Sequence, residues 1–173
     1  MKRLFRICAV ALVVIGAPLA ASAQNALADD DRSGLISAGA MVGAQLDTPD
    51  NWLIFGVDAR AQIAHALELS PRFTYQPVPN GHAIQLDVNL LQNFDLAQPG
   101  RFRPFVGIGG ALRLESAAGF SDNSVGLNLI SGTRIAMSPG SGYEPFFIAE
   151  YTIVHGQPND FSLVIGASFR LRH

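Results

Sequence analysis

Apolar and polar residues alternate with a period of two along most of the chain from Gly34 onward. In the clearest run, LELSPRFTYQ at positions 67–76, apolar residues occupy the odd positions and polar residues the even ones. This alternation predicts β-strands that have one apolar and one polar face. Eight such runs occur, each close to the ~9–11 residues of a tilted strand that crosses a bilayer. They span residues 35–46, 53–64, 67–76, 83–94, 103–115, 124–137, 143–154 and 161–172.

The segments between these runs contain the proline, glycine, asparagine and aspartate residues that turns use. We place the breaks at residues 47–52, 65–66, 77–82, 97–102, 116–123, 138–142 and 155–160. With an even number of strands, both termini lie at one end of the sheet, together with the turns near 65, 97 and 138. The other four connections are predicted to be short loops of about five to eight residues.

The polar faces carry acids and arginines in equal number and no lysine. We predict that these charges form one network: Asp58, Glu68, Asp87, Glu115, Glu144 and Glu150 with Arg60, Arg72, Arg113, Arg134, Arg170 and Arg172. If the apolar faces meet lipid, the charges point into a narrow lumen and must pair, because an unpaired buried charge is very costly. Arginine suits such pairs because its fork binds carboxylates at two points. A soluble sandwich or barrel has the same period but does not require this balance.

These patterns together predict an all-β fold: a single antiparallel up-and-down transmembrane β-barrel of about eight strands. The aromatic residues near run ends are predicted to form interfacial girdles. They are Trp52, Phe73, Tyr75, Phe94, Phe105, Phe120, Tyr143 and Tyr151. After position 23 no stretch of 18 or more residues is continuously apolar, which excludes a helical membrane protein.

The amino terminus has the anatomy of a secretory signal peptide. Lys2, Arg3 and Arg6 precede an apolar stretch at 7–19, and the small residues at 21–23 predict cleavage after Ala23. We therefore divide the chain into a signal peptide at 1–23, a polar acidic tail at 24–33 and a barrel at 34–173.

Removal of the signal peptide also changes the composition of the chain. The full sequence has 12 basic and 14 acidic residues, so loss of three basic residues leaves 9 and 14, a net charge of −5. This balance excludes a nucleic-acid partner, because phosphate binding needs an excess of cations. The single cysteine, Cys8, lies in the signal peptide, so the mature chain has no disulfide and no thiol nucleophile.

Two short segments resemble a known family. The run RPFVGIGGAL at 103–112 resembles the fifth strand of porin-like, opacity-type outer-membrane β-barrel domains, which share the eight-stranded architecture of the outer-membrane protein A transmembrane domain. The closing strand IGASFRLRH is similar to the carboxy-terminal signal of such barrels, with Gly166, Phe169 and Leu171 in the matching positions. The family usually ends on an aromatic residue, whereas this chain ends on Arg172-His173.

The resemblance implies a place in the bacterial outer membrane, reached through the secretory pathway. It implies contact with outer-membrane lipid and lipopolysaccharide, and transient binding to periplasmic chaperones and the barrel-assembly machinery. A monomer without cofactor or metal is expected. We interpret the protein as non-enzymatic, with an envelope-structural or surface-interaction role.

Three alternatives remain open from the residues alone. A narrow ion-conducting pore would conduct intermittently, through rearrangement of the salt bridges in the lumen. A lipid-modifying hydrolase is suggested by HGQPND at 155–160, which resembles the final loop of lipid A deacylases. In this chain Gln157 replaces the serine nucleophile of that loop. Ser162 is then the remaining local candidate for a nucleophile, with His155 as its base. A soluble periplasmic β-barrel binding protein would turn its apolar faces inward.

Neither a metal site nor a phosphate loop is predicted. The four histidines are scattered without paired spacing. The glycines at 107, 109 and 110 lack the strand-to-helix context and the Lys-Ser/Thr ending of a phosphate-binding loop. We interpret them as positions where strands and lumen side chains approach closely.

Overall fold

The computed structural model describes residues 36–46, 52–64, 66–94, 101–117, 119–137 and 142–171. These residues form a closed barrel in which each strand pairs antiparallel with its neighbour in sequence and β8 pairs back with β1. The strands are β1 (Ile36–Gln45), β2 (Leu53–Ala64), β3 (Leu67–Val78), β4 (Gly81–Asn93), β5 (Phe102–Ala117), β6 (Phe120–Ile135), β7 (Tyr143–Val154) and β8 (Asp160–Leu171). The predicted all-β, eight-stranded antiparallel barrel is confirmed. The predicted signal peptide and acidic tail lie outside the described residues.

The two faces of each strand differ in exposure in the sense expected of a membrane barrel. On β2, Val57 is 54% exposed while its neighbour Asp58 is 6% exposed. On β4, Val88 is 59% exposed while Asp87 is 2% exposed. Alternation continues around the barrel, so large apolar side chains cover the exterior and polar ones fill the interior. No helix among the described residues is long and apolar enough to span a bilayer.

The connection between β3 and β4 is tighter than the sequence predicts. The predicted break at 77–82 shrinks to a two-residue turn, because the two strands stay paired up to Val78 and Gly81. Asn80 closes the turn with a φ of 59°, a conformation that asparagine tolerates better than most residues. The turn signal in the sequence was therefore in the right place, but the predicted length was wrong.

The predicted loop at 116–123 is likewise wrong in extent. Strands β5 and β6 continue to pair up to Ala117 and Phe120, and Gly119 in the turn has a φ of 84°. The serine, aspartate and asparagine residues that looked turn-like lie in β6 instead. Cross-strand backbone hydrogen bonds outweigh the weak local turn preference of such residues.

Inside the barrel, an apolar cluster packs beside the charges. Its members are Met41, Leu91, Phe105, Ile130, Phe146, Ile148 and Val164. The prediction that Phe94 and Phe105 belong to an exterior aromatic girdle is wrong, since they are 7% and 1% exposed. Position 105 shares the inward register of Arg103 and Gly107, so its ring points into the lumen. Tyr75 and Tyr143, in contrast, are 40% and 39% exposed.

At two positions, glycine allows an inward-facing side chain of the neighbouring strand to lie directly against the backbone. A Cβ at Gly109 would collide with the side chain of Asn89 on β4, and a Cβ at Gly132 would collide with the Phe105 ring. Phe105 and Gly132 are direct cross-strand partners. The ring therefore lies over a position where only glycine leaves room, as in other barrels that pair aromatic residues with glycine.

Candidate functional site: the charged lumen

Arg72 on β3 forms the centre of the lumen network. Its Nε donates to Oδ2 of Asp87 on the adjacent β4, at 2.8 Å. Its Nη2 reaches across the lumen and donates to Oε2 of Glu150 on β7. All three side chains are at most 5% exposed. The arginine thus links two parts of the wall that are distant in sequence, and it compensates both buried carboxylates.

Neutral polar side chains complete this central cluster. Asn128 Nδ2 donates to Asp87 Oδ1 at 3.0 Å and to Asn89 Oδ1 at 3.1 Å. Thr152 Oγ1 donates to Asn128 Oδ1 at 2.9 Å, and Gln85 Nε2 donates to Asp87 Oδ1 at 2.9 Å. Asn128 is fully buried. The alternation of the sequence places these neutral residues on the polar faces, but the predicted network contained only charged residues and left them out.

A second cluster lies toward the end of the barrel where β1 begins and β8 ends, which we call the N-terminal mouth. Arg134 on β6 binds Glu68 on β3 at two points, with Nη1–Oε1 at 2.9 Å and Nη2–Oε2 at 2.5 Å. Its Nη1 also donates to Asn93 Oδ1 at 2.8 Å. The guanidinium lies 4.8 Å from the centroid of the Phe105 ring, which places the apolar cluster directly against the charge.

Arg60 and Asp58 form a local pair on β2. Arg60 Nε donates to Asp58 Oδ2 at 2.5 Å, and its guanidinium lies 4.4 Å from the Phe146 ring centroid. Both residues face inward because they are two positions apart on one strand. Asp58 Oδ1 and Arg60 Nη2 are buried without a hydrogen-bond partner among the described residues.

A third cluster lies at the opposite mouth, where β1 ends and β8 begins. Arg113 on β5 binds Asp160 on β8 through Nη1–Oδ2 at 2.5 Å and Glu115 through Nη2–Oε2 at 3.3 Å. Gln45 Nε2 donates to Asp160 Oδ1 at 2.5 Å and accepts a hydrogen bond from Gln76. Asp160 was placed in a loop by the sequence prediction. Its even number, shared with the inward-facing Ser162, is the signal that could have placed it in the lumen.

Two of the remaining predicted network members, Glu144 and Arg170, lie at the rim of the N-terminal mouth. Glu144 approaches Arg103, a residue the sequence prediction omitted, at 3.9 Å. The Arg103 side chain is 43% exposed. Arg170 is exposed and has no ion pair within the described part of the chain. Arg172 lies outside the described residues.

The candidate residues for hydrolysis are not brought together. Ser162 lines a small lumen cavity of about 30 Å³, whose other walls include Gln45, Arg113 and Glu150. His155 is an exposed residue of the turn after β7. A cavity of this size has room for only one or two water molecules. Among the described residues, no group of three or more histidine, cysteine or acidic side chains is arranged to hold a metal ion.

The three residues proposed as an assembly signal lie on both faces of the closing strand. Gly166 faces inward, where a Cβ would collide with the Phe146 ring. Phe169 and Leu171 face outward and are 54% and 51% exposed. The Phe169 ring lies 5.8 Å from that of Tyr143 on β7, near the N-terminal mouth.

Comparison with known proteins gives structural but not sequence relatives. No protein-family model and no curated protein matches the sequence. Neisserial surface protein A superimposes with a TM-score of 0.63 at 15% identity, covering 80% of this chain and 98% of that one. The N-terminal β-barrel domain of Pseudomonas aeruginosa OprF gives 0.64 at 14% identity, with coverage of 80% and 98%. The outer-membrane enzyme PagL gives 0.51 at 12% identity, with coverage of 78% and 99%. The chain therefore has the fold of the small eight-stranded outer-membrane β-barrels.

Proposed function

We propose that this protein is a non-enzymatic outer-membrane β-barrel with an envelope-structural or surface-interaction role, whose charged lumen braces the wall. The observation that carries the proposal is the inverted distribution of side chains. Arg72, Asp87 and Glu150 are buried and paired inside the barrel. Val57, Val88 and Ile165 lie more than half exposed outside it.

The exterior supports a lipid environment. A monomeric soluble protein rarely exposes a contiguous apolar patch larger than a few hundred Å². Here exposed large apolar side chains occur on all eight strands, from Val42 on β1 to Leu171 on β8. Lipid tails are the solvent that accepts such a surface without cost, and a closed barrel leaves no unpaired strand edge within them.

The interior supports a structural role for the charges. An eight-stranded barrel is only wide enough for its own side chains. Each of Arg72, Arg113 and Arg134 binds a carboxylate on a strand that is not its neighbour in the barrel. Such cross-links fix the positions of distant strands, whereas an open pore needs a continuous water path. The apolar cluster around Phe105 and Ile130 occupies part of the lumen, which disfavours such a path.

The positions of Ser162 and His155 favour a non-enzymatic role. An acyl-transfer enzyme needs its nucleophile within hydrogen-bond reach of a base. Ser162 lies in the lumen beside Glu150, its register partner on β7, whereas His155 is exposed in the turn. The likeness to PagL is a likeness of fold.

The route to the membrane follows from the same proposal. The signal peptide is removed after Ala23, periplasmic chaperones carry the chain, and the barrel-assembly machinery reads the closing strand through Gly166, Phe169 and Leu171. The N-terminal mouth then faces the periplasm. The protein is a monomer in contact with outer-membrane lipid and lipopolysaccharide.

The test of this proposal combines fractionation with gel mobility. Expressed protein is expected in the outer-membrane fraction with the mass of a chain that starts at Gln24. After refolding into detergent, unboiled and boiled samples are expected to migrate differently, because a closed hydrogen-bonded barrel resists the gel detergent until it is heated. Recovery in the soluble periplasmic fraction without a mobility shift would contradict a membrane role.

A substitution on the exterior tests the lipid contact directly. Val88→Arg, at the middle of β4, is expected to lower the free energy of unfolding in bilayers by about 2–4 kcal/mol, because a charge at the bilayer midplane is costly. Ser116→Arg introduces the same charge at an exposed position near the end of β5 and is the control for depth, with an expected cost of about 0–1 kcal/mol. Urea unfolding in lipid vesicles measures both. Equal, small effects would mean that Val88 faces water.

A further inference from the structure

The buried ion pairs of the lumen are balanced in one half and unbalanced in the other. Toward the N-terminal mouth, each buried arginine holds one carboxylate, in the pairs Arg60–Asp58 and Arg134–Glu68. From the centre to the opposite mouth, each arginine holds two carboxylates. The ion-paired residues of this half are Arg72 and Arg113 against Asp87, Glu115, Glu150 and Asp160, a net charge of −2. The chain has no lysine after position 2 that could offset the difference.

The excess charge at the centre is the more costly part, because it is the more deeply buried. The side chains of Arg72, Asp87 and Glu150 are at most 5% exposed. One guanidinium compensates only one of the two carboxylates, and the remaining charge has lost its hydration. Gln85 and Asn128 donate hydrogen bonds to Asp87 but carry no charge themselves. A further positive charge close to this cluster would therefore stabilise the barrel.

The small lumen cavity of about 30 Å³ lies where such a charge would act most strongly. Its walls include Arg72 and Glu150 of the central cluster and Arg113 and Asp160 of the third cluster. It therefore lies between two groups in which carboxylates outnumber arginines. A space of this volume accommodates one or two particles the size of a water molecule. One small inorganic cation fits such a space, whereas an organic cation does not.

Neutral oxygen atoms line the same cavity. Thr74 and Ser162 contribute hydroxyl groups, and Gln85 contributes a side-chain amide. Gln85 donates through Nε2 to the central cluster, so its carbonyl oxygen is available as a ligand. Oε1 of Glu150 lies 3.5 Å from the Thr152 hydroxyl, at the upper limit for a hydrogen bond. The cavity thus offers one weakly engaged carboxylate oxygen together with several neutral ones.

This set of ligands suits a cation of single charge. Calcium sites gather several carboxylates, and magnesium keeps several of its water molecules. Both oxygens of Asp87 and both of Asp160 already accept hydrogen bonds, which leaves Glu150 as the charged ligand. The cavity is also too small for a hydrated ion. A divalent cation is therefore disfavoured by the ligands and by the volume.

We propose that the cavity between Arg72 and Arg113 binds one dehydrated monovalent cation of the size of sodium. Glu150 is its charged ligand, and Thr74, Ser162 and Gln85 supply neutral oxygens. The cation neutralises the excess charge of the central cluster and links strands β3, β4, β7 and β8. This inference goes beyond the bracing role of the lumen charges, because it makes the stability of the barrel depend on an ion taken up from solution.

Urea unfolding of the protein in zwitterionic micelles tests the proposal. Sodium chloride is varied from about 1 to 300 mM, and N-methylglucamine chloride keeps the ionic strength constant, because screening depends on total salt. The folding equilibrium constant is expected to rise with sodium, about elevenfold at ten times the dissociation constant. Equal stability in the two salts would overturn the proposal and leave a proton to neutralise the cluster. A stronger effect of calcium at equal concentration would overturn the monovalent assignment.

Substitutions then assign the sodium effect to the cavity. Glu150→Gln removes the excess charge of the central cluster and is expected to abolish the dependence on sodium. Ser162→Ala removes one neutral ligand and is expected to weaken the sodium affinity by about tenfold. Ser70→Ala is the matched control, because Ser70 is a lumen serine that is 5% exposed and does not line the cavity. Its sodium dependence is expected to equal that of the natural protein.

Heat-dependent gel mobility in N-methylglucamine chloride alone shows that each variant folds without sodium. Full sodium dependence in folded Glu150→Gln would mean that the ion acts elsewhere, and the proposal would fail. Equal losses of sodium affinity in Ser162→Ala and Ser70→Ala would have the same meaning.

Discussion

Replacement of Arg72 by methionine is expected to lower the free energy of unfolding of the barrel by about 3–5 kcal/mol. Methionine fills much of the volume of the side chain but leaves Asp87 and Glu150 facing each other without a cation. Both carboxylates are almost fully buried, so neither can recover its hydration. The large effect comes from this uncompensated charge and not from the loss of a favourable pair as such.

Urea unfolding of the protein refolded into lipid vesicles measures this effect. The control is the triple variant Arg72→Met, Asp87→Asn and Glu150→Gln, which removes all three charges together. It is expected to recover most of the lost stability, because replacing a whole buried charge group is often close to neutral. If Arg72→Met alone lowers the free energy of unfolding by less than about 1 kcal/mol, the central network does not stabilise the barrel.

Truncation of Phe105 is expected to have an effect of similar size by a different mechanism. Phe105→Ala should lower the free energy of unfolding by about 3–5 kcal/mol, because it opens a cavity in a packed interior. The ring is 1% exposed and lies against the Arg134 guanidinium and over Gly132. The Arg134 guanidinium cannot move into the space without disturbing its pair with Glu68.

Phe102→Ala on the exterior of the same strand is the matched comparison. Phe102 is 59% exposed, and lipid or detergent chains fill the space that its ring leaves. The loss is therefore expected to be smaller, about 1 kcal/mol. The same urea titration compares the two variants, and an equal loss for both would show that Phe105 is not part of a packed core.

Much of the architecture was readable from alternation alone. Bounds such as Leu53–Ala64 and Tyr143–Val154 coincide with the predicted runs, because each strand has an apolar face in lipid and a polar face in the lumen. The assignment of Asp58, Glu68 and Arg134 to the interior also follows from their register positions. A one-residue slip would move every such charge to the lipid face, so register is strongly specified.

Errors arose where local preference competed with long-range pairing. Residues 121–123 have turn-like side chains but extend β6, because β5 offers them backbone partners. Asp160 was assigned to a loop, although it belongs to β8 and binds Arg113 across the lumen. Phe105 was assigned to the exterior by its place near a run end, whereas its odd number in β5 directs it inward.

The sequence by itself determined the class of fold, the number of strands and, for most strand positions, which residues face the lumen. Those properties depend on a period of two along the chain, which needs no knowledge of distant contacts. Only the tertiary structure decided which charges meet, such as Arg72 with Glu150 and Arg134 with Glu68. These partners are separated by 78 and 66 positions in sequence, and closure of the barrel brings them across the same narrow lumen.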